Sequence, residues 1–356
     1  MHKINFGSGP AALPQEVLQE ASAAILDYEG SGLSILEIPH RGKLFEAILE
    51  ESKALVNELC ELNNDYEILW LQGGRLQFDM IPMNFLGKEQ TAGYIDSGHW
   101  AAMAAEAAKH YGNVHILSSS KEDQYNHLPE APSFIPRHLS YLYLTTNNTL
   151  YGTQWKTLPQ TQTPIVADMS SDILSRKFNY TSCALFYAVA QKNIGPAGVT
   201  LVVIHKDFLK KQVRRLSPML DYGLHARQHS VLNTPPIFAI YTSLLTLRWM
   251  RKRSLHVIAK ENQAKAQVLY EEIDSNPMFV PMVSNRQHRS DMNVCFRAKD
   301  KQTETAFLKF CAENNISGIE GHRAVGGFRA SLYNAISLAD VGKLVSLMQQ
   351  FEVIGK

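Results

Sequence analysis

The sequence predicts an α/β protein: a large domain whose mostly parallel sheet is sandwiched by helices, followed by a smaller C-terminal α+β domain. Three observations predict it. From Tyr66 onward, seven short apolar runs alternate with helix-compatible stretches: Glu67–Leu71, Gly93–Asp96, Val114–Leu117, Tyr141–Leu144, Pro164–Ala167, Ala184–Val189 and Val199–Ile204. The runs at Ala184 and Val199 lack polar alternation, as strands covered on both faces require. The chain has 356 residues, 45% hydrophobic and 19% charged, enough for one large domain and a smaller one. The expected division is an N-terminal arm over 1–15, a large domain over 16–260 and a small domain over 261–356.

A net charge of +1 provides no general field for nucleic acid or a membrane, so neither is an expected partner. The basic clusters Lys206–Arg215 and Arg248–Arg253 carry apolar residues between their charges and read as solvated helix faces. The four cysteines, Cys60, Cys183, Cys295 and Cys311, form no CxxC pair and suit a reducing compartment without a metal site. The N-terminus lacks the apolar core of a signal peptide and no run reaches a membrane span, so a cytoplasmic location is expected.

In chain order, Asn5–Leu13 reads as an extended arm whose Gly7-Ser8-Gly9-Pro10 offers N–H groups and a hydroxyl. No strand precedes it, which excludes a dinucleotide fingerprint. Pro14 opens a helix to about Asp27, in the first-turn position that proline favours. His40 and Arg41 stand at the entrance of an amphipathic helix from about Lys43 to Leu62. Arg41 reads either as a structural loop arginine or as one arm of a carboxylate clamp.

In parallel sheets, ligands bind beyond the carboxyl ends of the strands. After the first strand comes Gln72-Gly73-Gly74-Arg75, a turn whose N–H groups could cradle a phosphate. After the second comes Ser97-Gly98-His99-Trp100, with a flat aromatic face. The fourth is followed by Thr145–Thr149, all hydrogen-bonding groups, and the fifth by Asp168-Met169-Ser170-Ser171-Asp172. The sixth ends at Gln191-Lys192, before the turn Gly195-Pro196-Ala197-Gly198.

Each feature alone has an ordinary explanation: a capping lysine, a core tryptophan, a helix-capping aspartate, a tight glycine turn. Together at one sheet edge they make a phosphate cradle, a stacking ring, an acid and a lysine. Pyridoxal phosphate requires that set. A poorly solvated lysine has a depressed pKa, and its neutral amine forms Schiff bases with aldehydes.

Beyond Pro235-Pro236 the spacing predicts helices over about Phe238–Lys252 and His256–Asp274, the second bridging to the small domain. There the expected strands are Asn293–Arg297 and Phe328–Tyr333, with the helix Glu304–Asn314 between them. A last helix starts at Ser337, with Asp340 three residues on as a capping box. The loop Gly321–Gly327 carries His322 and Arg323, with Gly326-Gly327 allowing a tight turn and Arg329 just after.

Five segments carry a family resemblance: HRGK (His40–Lys43), DMSSDILSR (Asp168–Arg176), AQKNIGPAG (Ala190–Gly198), NTPP (Asn233–Pro236) and GHRAVGGFRASLYNA (Gly321–Ala335). From Asn5 to the C-terminal helix the chain resembles the phosphoserine aminotransferases, within the class V aminotransferases. The resemblance implies an aspartate-aminotransferase-like, fold-type I pyridoxal-phosphate homodimer with active sites shared at the subunit interface. It also implies amino transfer between L-glutamate and 3-phosphohydroxypyruvate, giving O-phospho-L-serine and 2-oxoglutarate in serine biosynthesis. Relatives of this kind often also aminate the longer phosphorylated oxo acid of pyridoxine synthesis.

By the same resemblance Lys192 holds the cofactor aldehyde, Asp168 partners its ring nitrogen and Trp100 stacks on the ring. Thr149 and Gln191 hydrogen-bond it, Gly74 and Arg75 contact its phosphate, and Asn233 and Thr234 reach that phosphate from the other subunit. Ser8 and Arg41 contact glutamate; His40, Arg41, His322 and Arg323 grip the substrate phosphate; Arg329 clamps the α-carboxylate. One departure stands out: the family turn GGGRGQ or GGASLQ is here the shorter GGRLQ of Gly73–Gln77, so the Arg75 side chain is expected to compensate. The rivals are a same-fold aminotransferase for an unphosphorylated oxo acid such as glyoxylate, a non-catalytic cofactor-binding homologue, and a cysteine desulfurase. The last requires a mobile loop cysteine, whereas Cys295 and Cys311 fall in a predicted strand and helix.

Overall fold

A computed structural model describes residues 3–354. Its strands are β1 Ile4–Asn5, β2 Tyr66–Leu71, β3 Thr91–Asp96, β4 Asn113–Ser119, β5 Leu142–Thr145 and β6 Ile165–Asp168. They continue with β7 Leu185–Val189, β8 Thr200–His205, β9 Phe279–Pro281, β10 Asn293–Ala298, β11 Ile316–Ser317 and β12 Phe328–Ser331. All seven strands expected between Tyr66 and Ile204 lie in one sheet, their ends within a residue or two of expectation, in the order β2-β8-β7-β6-β5-β3-β4.

β8 alone runs against its neighbours, antiparallel to both β2 and β7. The cause is covalent. Only residues 190–199 join β7 to β8, and a parallel return needs a crossover of a dozen or more. The strands β2, β3, β5, β6 and β7 therefore end at one edge, where Gln72–Arg75, Ser97–Trp100, Thr146–Thr149, Met169–Asp172 and Ala190–Lys192 emerge.

Side-chain alternation gives the sheet two buried faces. Trp70, Leu144, Phe186 and Val203 pack with the helices Gln15–Leu26, Lys43–Leu59 and Ile237–Arg253. Leu71, Tyr94, Tyr143, Tyr187 and Val202 pack on the opposite side with the helices Gln77–Phe85 and His99–Ala108. A separate apolar cluster gathers Phe296, Phe307, Phe328 and Leu344 around the antiparallel sheet β12-β10-β9. The helix Leu255–Ser275 serves both regions, with Ile258 in the first cluster and Leu269 and Ile273 in the last.

Four local expectations change. The N-terminal arm is anchored: β1 pairs in parallel with β11, and Phe6 is fully buried in the C-terminal cluster. Pro14 occupies the cap position, one residue before the helix Gln15–Leu26. The helix expected to reach Leu62 ends at Leu59, because Glu61 turns the chain through a left-handed φ of 50°. Lys206–Arg215 is helical only over Lys206–Leu209, and Arg214 then leaves to bond the carbonyl of Leu86. Arg248–Arg253 does lie on a helix, with Arg248, Arg251, Lys252 and Arg253 paired to Glu51, Glu58, Glu16 and Glu261. The capping box at Ser337 forms as expected, Asp340 N donating to Ser337 Oγ at 3.1 Å and Ser337 N to Asp340 Oδ2 at 2.9 Å.

Candidate active site

Lys192 lies on the one-turn helix Ala190–Asn193 that continues β7. Its neighbour Asn193 is buried, with Nδ2 donating to Ile173 O at 2.6 Å and Oδ1 accepting from Asn334 N at 2.9 Å. The turn that carries the lysine is thus held from two sides. Lys192 Nζ lies 6.0 Å from the centre of the Trp100 ring, and among the described residues no hydrogen bond or ion pair engages it. Burial pushes its pKa below the ordinary lysine value; Asp168 opposes that shift, Arg329 adds to it and Asp172 opposes it weakly.

Asp168 ends β6, buried, in register with Thr145 on one side and Tyr187 on the other. Its Oδ1 accepts from Ser170 N at 2.9 Å, and Ser170 Oγ accepts from Val189 N at 3.3 Å. Thr149 joins the ring to the guanidinium. Its Oγ1 accepts from Trp100 Nε1 at 3.0 Å, and its carbonyl accepts from Arg329 Nη1 at 3.1 Å. Gly98, at φ 157°, precedes the helix of Trp100 and packs against the Asn148 side chain, leaving no room for a Cβ.

The N-terminal arm closes one side. Ala11 N donates to Gln191 O at 2.9 Å, Ser8 O accepts from Tyr333 Oη at 3.1 Å, and Gly9 lies against the Gln191 and Lys192 side chains. The loop Gly321–Gly327 closes the other, pinned by Gly321 N donating to Gly327 O at 2.9 Å, with Gly326 and Gly327 at φ 75° and 67°. His322 faces His99 across 6.0 Å between ring centres. Burial lowers the His322 pKa, helped by Arg329, His99 and Arg323.

Among the described residues, the buried Ser97 Oγ, Thr145 Oγ1, Asn148 Oδ1 and Arg329 Nε along this edge lack a protein partner. In the turn after β2, the N–H groups of Gly74, Arg75 and Leu76 have no protein acceptor among the described residues, while Gly74 packs so closely on Val189 that no Cβ would fit. Free N–H groups, an indole face, a buried acid and an unengaged amine match what pyridoxal phosphate asks of a site. The residues fit that group.

The structure therefore brings together Ser8, Trp100, Thr149, Asp168, Gln191, Lys192, His322, Arg323 and Arg329. Gly74 packs on Val189 at the end of β7, with Arg75 beside it, whereas His40, Arg41, Asn233 and Thr234 are not brought to the lysine. Thr234 Oγ1 lies 3.4 Å from His40 Nδ1 and Asn233 Nδ2 3.5 Å from Gln72 Oε1, beside the exposed Arg41 and Arg75. Among the described residues no hydrogen bond joins this second group to Lys192, Trp100 or Arg329. Two contributors escaped the sequence reading. His99 stands in the strand-end motif beside the more prominent Trp100, and Asn193 lies inside the segment Ala190–Gly198 with no local signal of its own. Cys295 and Cys311 are buried in β10 and the helix Lys301–Glu313, their thiols pushed up to about 12 by burial, which disfavours a desulfurase.

Architecture and site together define a class: the family model for class-V aminotransferases matches residues 4–344, and the chain belongs to that family. Within it, the chain is 47% identical to the phosphoserine aminotransferase of Flavobacterium psychrophilum, with 99% of each sequence covered. Its fold superposes on the phosphoserine aminotransferase of Bacillus circulans subsp. alkalophilus with a TM-score of 0.97 at 40% identity, covering 100% of this chain and 99% of that one. A PLP-bound phosphoserine aminotransferase from Trichomonas vaginalis gives a TM-score of 0.91 at 33% identity, over 98% and 100% of the two chains. The protein is an aminotransferase with the expected fold.

Proposed function

We propose that the protein is a pyridoxal-phosphate-dependent phosphoserine aminotransferase, moving the amino group of L-glutamate to 3-phosphohydroxypyruvate for serine biosynthesis in the cytoplasm. The observation that carries the reading is Lys192: a desolvated amine without a protein partner, beside an indole and a buried acid. Pyridoxal phosphate, when bound, supplies an electron sink that makes the substrate's α-proton removable.

The chain does the rest. A lowered Lys192 pKa leaves more free amine at neutral pH, able to take an aldehyde and then to accept a proton at Nζ. Asp168, fixed by Ser170 N, would serve as the anionic partner that keeps the cofactor's ring nitrogen protonated. The Trp100 indole, oriented by Thr149, offers a stacking face. Gly74 and Arg75, with Thr149 and Gln191, supply hydrogen bonds at the cofactor's periphery. Arg329, with Nη1 on Thr149 and Nε unspent, can grip an α-carboxylate through a rigid fork. Ser8 lies on the glutamate side, and His322 and Arg323 lie where a substrate phosphate would point.

The second group, His40, Arg41, Asn233 and Thr234, suits a site completed by another copy of this chain. The exposed Leu33 and Leu36 just ahead of His40 are consistent with a covered surface there. In this homodimer Asn233 and Thr234 would reach the partner's cofactor phosphate, and His40 and Arg41 the partner's substrate. The arm over 1–15, a cofactor domain over 16–260 and a small domain over 261–356 belong to the same reading, supported by the separate apolar clusters.

The test is direct. Purified protein should be yellow, behave as a dimer on sizing, and convert glutamate and 3-phosphohydroxypyruvate to O-phosphoserine and 2-oxoglutarate. Protein that stays colourless with added pyridoxal phosphate would overturn the enzyme reading. Turnover of glyoxylate but not of the phosphorylated acid would move the substrate to an unphosphorylated one.

A further inference from the structure

His99 opens the helix His99–Ala108, one residue before the indole, with its ring 5.0 Å from Trp100 and 6.0 Å from His322. Its imidazole has no protein hydrogen bond or ion pair among the described residues. His322 spends Nδ1 on Ala324 N at 3.2 Å and keeps Nε2 for something else. Among the described residues the exposed Arg323 has no ion-pair partner, and the buried Nε of Arg329 has no hydrogen-bond partner. Thus two imidazoles, Arg329 and the neighbouring Arg323 lie together, and among the described residues no carboxylate pairs with them. The two guanidiniums keep the cluster net positive while the imidazoles offer hydrogen bonds, a setting that an anion completes. The first turn of the helix contributes no acid to neutralise it.

Resting on the activity proposed above, we infer that His99 is a specificity-determining residue for the phosphorylated acceptor. It forms with His322 an imidazole pair that receives the dianionic phosphate end of the substrate. Arg329 takes the carboxylate end. The pair sits beside the Trp100 ring, so His99 would meet the substrate's tail and not the reacting carbon. An unphosphorylated oxo acid presents nothing to it. Discrimination between the acceptors then comes from a site built for an anion, left unpaired when that anion is missing.

The experiment compares holoenzyme carrying His99→Ala, His99→Asn or His99→Arg with wild type. For each, KM and kcat are measured with 3-phosphohydroxypyruvate and with hydroxypyruvate, together with inhibition by inorganic phosphate. The expected result is a KM for the phosphorylated acid and a phosphate inhibition constant both raised about tenfold in His99→Ala and His99→Asn. His99→Arg should recover part of both, and the KM values for hydroxypyruvate and glutamate should move far less. Unchanged phosphate inhibition would overturn the inference, as would an equal rise in every KM, which would mean that His99 acts only by packing on Trp100. Wild type that fails to turn over 3-phosphohydroxypyruvate would instead remove the activity reading. Inhibition by phosphate of whatever acceptor is used would still report on His99.

Discussion

Desolvation lowers the pKa of both Lys192 and Lys265, yet their amines meet different surroundings. Lys265, on the helix that serves both apolar regions, is 1% exposed, and its Nζ donates to the carbonyls of Leu332, Tyr333 and Ile336 at 2.8, 3.0 and 2.9 Å. Burial pushes its pKa down to about 7, against the pull of Glu261. Lys192 is desolvated too, but no protein acceptor takes its hydrogens. Three carbonyls use all the donors of an ammonium, so Lys265 is spent on holding a turn. An amine with nothing to hold remains available as a reagent. Desolvation lowers the pKa of both; their partners distinguish them.

The largest way to break this contrast is to remove the reagent. Lys192→Ala should lower turnover about 10⁴-fold or more, because covalent and general-base roles disappear together. Its melting temperature should stay the same or rise, since no protein hydrogen bond is lost and a desolvated amine is removed. A variant that kept near-wild-type turnover in a coupled assay would make Lys192 another structural lysine.

Removing the clamp should reverse the pattern. Lys265→Met leaves three buried carbonyls without donors and should lower unfolding free energy by about 3 kcal/mol. A shift in the denaturant midpoint measures it. The turn that Lys265 holds also presents Asn334 to Asn193, next to Lys192, with Asn262 Nδ2 donating to Asn334 Oδ1 at 2.8 Å. Folded Lys265→Met should therefore lose some kcat, though far less than Lys192→Ala.

The contrast also marks what a sequence can reveal. Lys192 was legible because it interrupts apolar strands at a sheet edge where an acid, an indole and a glycine turn also emerge. Lys265 was not, because a lysine in a long amphipathic helix resembles any solvated one, and its three acceptors lie almost seventy residues further along. The same physics governs the rest. Strands declared themselves by local apolar runs, so the seven-stranded sheet was readable. The reversed direction of β8 is implicit in its short connection to β7. The pairing of β1 with β11 was invisible, since two-residue strands carry no pattern and their partners are distant. At the site, the strand-end residues were legible from topology, whereas the separation of the Asn233–Thr234 and His40–Arg41 group from the lysine required coordinates.

A smaller effect tests the clamp's helix at its far end. Asp274 receives Arg289 in bidentate fashion, Oδ1 and Oδ2 each at 2.8 Å, with Arg286 at 3.0 Å. The Arg289 hydrogen bonds hold its carboxyl below the ordinary aspartate value. A folded value below the unfolded one adds stability that is complete above the unfolded pKa, about 3.9, and lost as pH falls through the folded value. Asp274→Asn should thus cost about 2 kcal/mol at pH 7, and the gap from wild type should close as pH falls below about 4. A gap independent of pH in urea titrations would mean that packing, not charge, sets the loss.

The smallest expected effect lies opposite the lysine, in the turn after β2. Gly73, at φ 78°, starts it, and the shortened turn closes by tight bonds, Gln77 N to Gly74 O and Phe78 N to Arg75 O, both at 3.1 Å. Those bonds leave the N–H groups of Gly74, Arg75 and Leu76 without an acceptor among the described residues, where the exposed Arg75 side chain also has no partner. A phosphate at this turn would meet backbone donors first and the guanidinium second, where solvent screens the charge. Arg75→Ala should therefore weaken pyridoxal phosphate binding about fivefold, roughly 1 kcal/mol, as read from fluorescence titration of the apoenzyme. Affinity equal to wild type would leave the backbone and a second subunit to hold the phosphate without Arg75. A loss as large as that of Lys192→Ala would mean that the arginine, and not the free N–H groups, replaces the residue missing from this turn.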